Sequence, residues 1–105
     1  MYIQYRYMIL PDPLDFQWDK GNTEKNLVKH GVSSGEVEEA FFDENRVTFT
    51  DVLHSDDEER FRLVGKTFGG RLLFIVFTIR NQILRVISAR DINRKEEYLY
   101  YEKTA

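Results

Sequence analysis

The second half of the chain consists of segments in which apolar and polar side chains alternate, and this pattern limits the fold more than any other feature. A period of two is typical of strands that bury one face. The dipeptides Gly69-Gly70 and Asn81-Gln82 separate the last three segments, so neighbouring strands are expected to run in opposite directions. The four predicted strands are Arg46 to Val52, Arg60 to Phe68, Arg71 to Arg80 and Ile83 to Arg90. Together they predict an antiparallel meander.

Helices are expected before and after this meander in the chain. Ser33 and Glu36 have the spacing of a capping box, and apolar residues then recur at helical intervals as far as Asp43. Asn93 and Glu96 repeat the spacing before a C-terminal helix. The other predicted elements are an edge strand or loose arm over Met1 to Leu10, a short strand over Leu14 to Asp19 and a polar helix over Lys20 to His30.

The predicted fold class is therefore α+β, a small antiparallel sheet meander with two N-terminal helices and one C-terminal helix. With 105 residues the chain is expected to form one domain, 1–105, with 1–13 as an arm or edge strand and 14–103 as the core.

The two tight turns also predict which side chains share a face of the sheet. If each turn is a two-residue loop, Phe68 lies opposite Arg71 and Arg80 lies opposite Ile83. One face then carries Arg60, Arg62, Val64, Lys66, Arg71, Leu73, Ile75, Phe77, Leu84, Val86, Ser88 and Arg90. The other carries Phe61, Leu63, Leu72, Phe74, Val76, Ile83 and Ile87, with Arg80 and Arg85 near one end. The first face is expected to be cationic, and the second is expected to pack the first two helices.

Charge is distributed unevenly along the chain. Residues 1–59 hold five basic and 14 acidic residues, whereas residues 60–95 hold nine basic residues against Asp91 alone. This asymmetry favours a polyanion site on one part of the surface, although the net charge is −3. The alternative is that each cation of the second half pairs with an acid of the first half.

The composition removes several kinds of chemistry. Without cysteine there is no disulfide, no thiolate zinc site and no cysteine nucleophile. His30 and His54 are the only side chains whose ordinary pKa lies near neutrality. No apolar window is long enough to span a membrane, and Gln4 and Arg6 interrupt any signal-peptide pattern. A cytoplasmic protein with no membrane partner is expected.

Several short motifs occur in an order that resembles the BrnT family of bacterial toxins. They are Trp18-Asp19, the K-H-G-V-S piece at Lys29 to Ser33, the H-S-x-x-E-E-R-F piece at His54 to Phe61, the R-x-I-S-A-R piece at Arg85 to Arg90, and finally Glu97 and Tyr101. The chain departs from the family pattern at Ile79-Arg80, at Asp91-Ile92-Asn93 and in the additional arm before Leu14.

The resemblance implies a fold and a function. Members resemble RelE-type ribonuclease toxins, with a small antiparallel sheet, helices on one side and a concave basic surface on the other. They cut RNA without a metal and halt translation. Their partner is a DNA-binding antitoxin of the BrnA type, which implies a 2:2 complex. No cofactor is expected.

Metal-free RNA cleavage needs groups that this chain contains. Attack of a 2'-hydroxyl on phosphorus requires a base, an acid for the departing 5'-oxygen, and cations for the charge that develops on phosphate oxygens. Guanidinium groups suit bidentate contact with phosphate. The candidate catalytic residues are His54, Glu59, Arg60, Arg90 and His30, and the candidate substrate-binding residues are Lys29, Arg62, Lys66, Arg71 and Arg85.

Several of these candidates also have a structural explanation. His54 is equally compatible with a solvated turn, and His30 with a favourable position at a helix C-terminus. Glu59 would alternatively be the ion-pair partner that orients Arg60, and Arg71 and Arg90 would simply lie over the sheet. Two other function classes therefore remain open, a non-catalytic RNA- or antitoxin-binding module and a structural protein whose cations are all neutralised.

Overall fold

The computed structural model describes residues 6–7, 10, 15–21, 23, 29–51 and 58–104. Its strands form one six-stranded sheet in the order β1-β3-β4-β5-β6-β2. The strands are β1 Arg6–Tyr7, β2 Asp15–Gln17, β3 Val47–Thr50, β4 Phe61–Lys66, β5 Leu72–Arg80 and β6 Ile83–Asp91. Helix α1 spans Ser34–Phe41, and a 3-10 turn over Arg94–Glu96 leads into helix α2, Glu97–Thr104.

The predicted meander is confirmed as β3 to β6, in which neighbouring strands pair antiparallel. Two short strands extend it at the edges. β1 pairs antiparallel with β3, which confirms an edge strand within the first ten residues. β2 pairs parallel with β6, with Phe16 opposite Leu84, an arrangement that the alternation pattern alone did not reveal.

The first hairpin differs from the predicted register by one residue. Lys66 lies opposite Leu72, and the Thr67 N–H donates to the Arg71 carbonyl at 2.8 Å, so the loop has three residues and not two. Gly70 adopts a φ of 91°, and a left-handed glycine is what a three-residue hairpin loop requires. The prediction that Phe68 lies opposite Arg71 is therefore wrong.

The second hairpin has the predicted register only near its turn. Arg80 lies opposite Ile83. Asn81 and Gln82 have φ angles of 54° and 63°, and a two-residue type I′ turn requires a positive φ at both of its central residues. Beyond Phe77 and Val86 a bulge shifts the pairing. Arg90 consequently lies opposite Phe74, whereas the unbroken register predicted Leu73.

We call the side of the sheet that packs against α1 the back face. Its buried core is Val32, Val37, Ala40, Phe41, Leu63, Leu73, Ile75, Phe77, Leu84, Val86 and Ala89. The shifted register corrects the prediction for five of these residues, Leu73, Ile75, Phe77, Leu84 and Val86, which were expected on the cationic face. Aromatic edge contacts join the elements, since the Phe41 ring lies 5.1 Å from both Phe16 and Phe77. α1 approaches so closely that a Cβ on Gly65 would lie 2.4 Å from the Ala40 carbonyl oxygen.

The opposite side, which we call the front face, carries Leu72, Phe74 and Val76 together with Arg62, Lys66 and Arg90. The first three were predicted on the helix-packing face. α2 covers the part of the front face over β3 and β4. A second core forms there from Val47, Phe49, Val64, Phe74, Leu99 and Tyr100. Part of the front face around β5 and β6 remains accessible.

The helix starts are formed as their sequences predict. Both capping boxes are present, with Ser33 and Asn93 accepting from the backbone of Glu36 and Glu96 respectively. Within 20–30 the structure describes five residues, all helical, and the rest of that predicted helix lies outside the described residues. The α+β class is confirmed, but the C-terminal helix lies on the face opposite α1. No described helix is long and apolar enough to cross a membrane.

Candidate functional site

Two arginines on the front face lie over the same aromatic ring. The Cζ atoms of Arg62 and Arg90 are 5.1 and 4.4 Å from the Phe74 ring centroid. The strand register places them there, because Arg62 pairs with Val76 and Arg90 pairs with Phe74 on either side of β5. Cation–π contact with one ring holds both guanidinium groups close to the same point of the sheet. We call Arg62, Phe74 and Arg90 the front-face arginine cluster.

Arg62 is held by a carboxylate from the end of β3. Its Nε and a terminal nitrogen each lie 2.8 Å from Asp51 Oδ2. Asp51 is only 6% exposed, and its own backbone N–H donates to the Arg60 carbonyl at 2.8 Å. This buried anchor leaves the Arg62 side chain 26% exposed, so the guanidinium is oriented but still reaches the surface.

Arg90 is held in a bidentate pair with Glu96. Two guanidinium nitrogens lie 2.8 Å from the two Glu96 oxygens, and Glu96 Oε1 also accepts from the Asn93 backbone at 3.0 Å. Hydrogen bonds to Glu96 raise the pKa of Arg90. Burial opposes ionisation of Glu96, but the bonds from Arg90 and Asn93 outweigh it and lower the pKa of Glu96. Arg90 is 34% exposed and permanently charged.

Lys66 lies at the far end of the same face, where α2 covers the sheet. Its Nζ is 5.5 Å from the centroid of the Tyr100 ring and 5.6 Å from that of Tyr101. The Tyr100 hydroxyl donates to Asp43 Oδ2 at 2.7 Å. The contact with two rings joins Lys66 to the packing of α2.

The predicted acid–base residues are described in part. His54 lies outside the described residues. Glu59 and Arg60 are exposed and directly precede β4. The Arg60 carbonyl continues the β3–β4 ladder by one pair, so side-chain alternation places Arg60 on the front face with Arg62. Their role in catalysis stays a prediction.

Arg71 lies on the back face, not on the predicted cationic face. Its guanidinium donates to the carbonyl oxygens of His30 and Gly31 and to the carboxylates of Glu36 and Asp91. The one-residue change in the first hairpin causes this placement. The Arg71 side chain is 28% exposed, and its contact with substrate stays a prediction.

His30 and Lys29 lie on the Arg71 side as well. The His30 carbonyl accepts from Arg71 at 3.1 Å, and the interaction of its imidazole with Asp91 contributes to the lowered pKa of Asp91, whose main cause is the bond to Arg71. Lys29 is exposed. The structure thus separates His30, Lys29 and Arg71 from the front-face arginine cluster.

Arg85, predicted on the helix-packing face, lies on the front face because Leu84 and Val86 on either side of it are in the back-face core. It forms an ion pair with Asp19. Its position near β2 separates it along the sheet from Phe74.

The arrangement of the front face suits a phosphodiester chemically. Two partly exposed guanidinium groups lie close together over one ring, and guanidinium groups suit contact with phosphate oxygens. Sequence reasoning identified both arginines but missed Asp51, Phe74 and Glu96, which orient them. The Asn93–Glu96 spacing was a signal for Glu96 as a cap, whereas nothing in the linear pattern indicated its pair with Arg90.

A comparison with known proteins assigns the family. The family model described as "Ribonuclease toxin, BrnT, of type II toxin-antitoxin system" matches residues 18–96, which is well over half of the chain. No curated protein matches the chain. The matched stretch contains both arginines of the front-face arginine cluster, together with Asp51 and Glu96. The chain therefore belongs to the BrnT family of ribonuclease toxins of type II toxin–antitoxin systems.

Proposed function

We propose that this chain cleaves RNA on its front face without a divalent metal and thereby halts translation, and that its fold is RelE-like. The single observation that supports the proposal is the pair Arg62 and Arg90 on the Phe74 ring. Developing charge on a phosphorane is stabilised best by donors that are already oriented. Two planar, permanently charged groups on one ring meet that need.

The proposed reaction is transesterification. The 2'-oxygen attacks the adjacent phosphorus and loses its proton to a base, while the bond from phosphorus to the 5'-oxygen breaks and that oxygen takes a proton from an acid. The products are a 2',3'-cyclic phosphate and a 5'-hydroxyl end. Arg62 and Arg90 are proposed to bind the phosphate oxygens, and the candidates for the proton transfers are His54 and Glu59, with Arg60 beside them.

RNA cleavage in excess EDTA tests this proposal. We expect the purified chain to cleave a mixed-sequence RNA in chelator and to leave 2',3'-cyclic phosphate ends. Arg90→Ala should lower the rate about 100-fold, as loss of one pre-oriented donor does in other enzymes. Arg46→Ala is the matched control, because Arg46 is exposed and lies outside the proposed site. Cleavage that disappears in EDTA and returns with magnesium would contradict the proposal.

Translation arrest is tested in cells. Expression of the wild-type chain should stop incorporation of labelled amino acids, and folded Arg90→Ala should not, with circular dichroism confirming its fold. Equal arrest by both proteins would place the site elsewhere.

A second candidate function is a binding module without catalysis. It is favoured by the carboxylates that hold Arg62, Arg85 and Arg90, since each reduces the net positive charge offered to RNA. RNA binding by the wild type with no cleavage under any metal condition would support this alternative.

A further inference from the structure

A polar cleft lies at the end of the sheet away from α2. Its volume is about 430 Å³, and its walls come from β2, β5, β6, the β5–β6 turn and the segment before β4. Polar side chains predominate in the lining, which includes Gln17, Glu58, Thr78, Asn81 and Arg85. Arg80 and Ile83 complete it. A volume of this size falls in the range of small-molecule sites.

The charges around the cleft are balanced. Arg80 donates to Glu58 Oε1 from Nε at 3.0 Å and from a terminal nitrogen at 2.9 Å, and Arg85 pairs with Asp19. Each guanidinium thus has a carboxylate partner. A phosphate would meet the Glu58 carboxylate in the lining and two guanidinium groups that are already paired with carboxylates, so the cleft is a poor phosphate site.

The same lining is well suited to a nucleobase. Gln17 and Asn81 line the cleft. Their amide side chains contain both donors and an acceptor, which is the chemistry that the edge of a base requires. The Arg80 side chain is 77% exposed and has a planar group on which a base stacks, and Ile83 adds an exposed apolar surface. Unpaired bases are recognised by this combination of stacking and edge contacts.

The cleft also lies close to the front-face arginine cluster along the sheet, at a spacing that one nucleotide can span. Along β5, Phe74 is opposite Arg90, Val76 is opposite Arg62, and Thr78 is opposite Arg85. Alternate residues of a strand are about 7 Å apart. The cleft therefore begins in the row next to Arg62, where a nucleotide adjoining a phosphate on the cluster would place its base.

We propose that this cleft binds one unpaired base of the RNA next to the scissile phosphate and so sets the sequence preference of cleavage. This proposal deepens the proposed ribonuclease function. It rests on that function because it assumes that the phosphate next to the bound base is the one that is cleaved. Asn81 and Gln17 would read the base edge, and Arg80 would stack on its plane.

A binding experiment tests the cleft independently of catalysis. The 15N-labelled chain is titrated with adenosine, guanosine, cytidine, uridine and inorganic phosphate, and the side-chain amide signals of Asn81 and Gln17 are followed. We expect one nucleoside to shift both amide signals more than the other three, and phosphate to leave them in place. If no nucleoside shifts them, or if phosphate alone does, the proposal is overturned.

Cleavage of oligonucleotides that differ in the bases next to the cut tests the consequence. Asn81→Gly should reduce the sequence preference of cleavage about tenfold, because it removes contacts with the edge of the base. Glycine accepts the φ of 54° at this position, so the turn is kept. Arg80→Lys should reduce it similarly by removing the stacking plane while keeping the charge. Gln82→Gly is the control, since Gln82 adopts a φ of 63° in the same turn and does not line the cleft.

The outcomes separate the two proposals. A wild-type chain that cleaves no RNA refutes the ribonuclease proposal, and the nucleoside titration then still decides whether the cleft binds a base. A wild-type preference that is unchanged in both folded variants overturns the cleft proposal and leaves the ribonuclease proposal standing.

Discussion

At the scale of single residues, the partners of an arginine decide what it is able to do. Arg71 is bound by two backbone carbonyls and two carboxylates from different elements. Arg90 has one bidentate carboxylate, the carbonyl oxygen of Asp91 and one aromatic ring. Arg71 thereby joins the loop before α1, α1 and β6, whereas the described partners of Arg90 lie on β5, at the end of β6 and in the turn before α2.

The pair of Arg90 and Glu96 predicts a specific dependence of stability on pH. The pKa of Glu96 lies below its usual value of 4.5 in the folded chain. A carboxyl group with a lowered pKa stabilises the fold above its unfolded pKa, and that contribution is lost as the pH falls through the folded pKa. Glu96→Gln should therefore lower the free energy of unfolding by about 1 kcal/mol at pH 7, since partial exposure screens the pair. The difference should shrink as the pH falls through the folded pKa of Glu96.

Urea unfolding at pH 7 and pH 3 measures this difference. Glu97→Gln is the matched control, because Glu97 is the exposed neighbour and has no bond to Arg90 among those described. A loss of stability in Glu96→Gln that is as large at pH 3 as at pH 7 would show that the charge of Glu96 is not its cause.

At the scale of elements, local sequence patterns predicted which helices, strands and turns form. They did not predict how all of the strands pair with one another. The capping boxes, the strands β3 to β6 and the Asn81-Gln82 turn depend on near neighbours, and the sequence predicted each of them. The parallel pairing of β2 with β6 depends on residues far apart in the chain, so alternation carries no signal for it.

The errors in the predicted faces of the sheet come from two shifts of strand register, each of one residue. The first hairpin is shifted by one residue and the bulge in β6 shifts the pairing by one more. These two shifts cancel at Arg90, which therefore shares the front face with Arg62 as predicted. Arg71 and Arg85 lie after the first hairpin and before the bulge in β6, so only the first shift affects them. Both therefore lie on the opposite face from the one predicted. A bulge has no reliable local signature, which is why the site was predicted only in part.

The contact of α1 with β4 gives a prediction at this scale. Gly65→Ala would place a Cβ 2.4 Å from the Ala40 carbonyl oxygen, so the helix must move away from the sheet. We expect the free energy of unfolding to fall by about 2 kcal/mol, as is typical of overpacking in a core. Gly69→Ala in the neighbouring loop is the control, because its nearest contact would be 3.9 Å away. Equal urea midpoints for the two variants would contradict this account.

At the scale of the whole molecule, the fold brings the acidic first half of the chain against the basic second half. Arg62, Arg71, Arg80 and Arg85 pair with Asp51, Glu36, Glu58 and Asp19 respectively. The expected alternative of mutual neutralisation is thus realised for these four cations, while Arg90 pairs within its own half. On the front face, Arg62, Arg85 and Arg90 are therefore each paired with a carboxylate, which reduces the net positive charge that these three arginines offer.

This distribution of charge predicts how the molecule divides its work with an antitoxin. A net charge of −3 and an acidic α1 disfavour binding to DNA by this chain alone. Large apolar side chains remain available for a protein partner, since Phe42 is 67% and Phe68 is 80% exposed. We expect two copies of this chain to bind an antitoxin dimer that alone contacts DNA, and RNA cleavage to stop in the complex.

Light scattering of the purified complex measures the stoichiometry, and mobility shifts on the DNA upstream of the genes measure binding by each component. The expected results are a 2:2 mass, tight DNA binding by the complex, and none by this chain at the same salt concentration. Because the affinity of proteins for DNA falls steeply with salt, the comparison is made at one ionic strength. If this chain alone bound that DNA as tightly as the complex does, its charge distribution would not determine the division of labour.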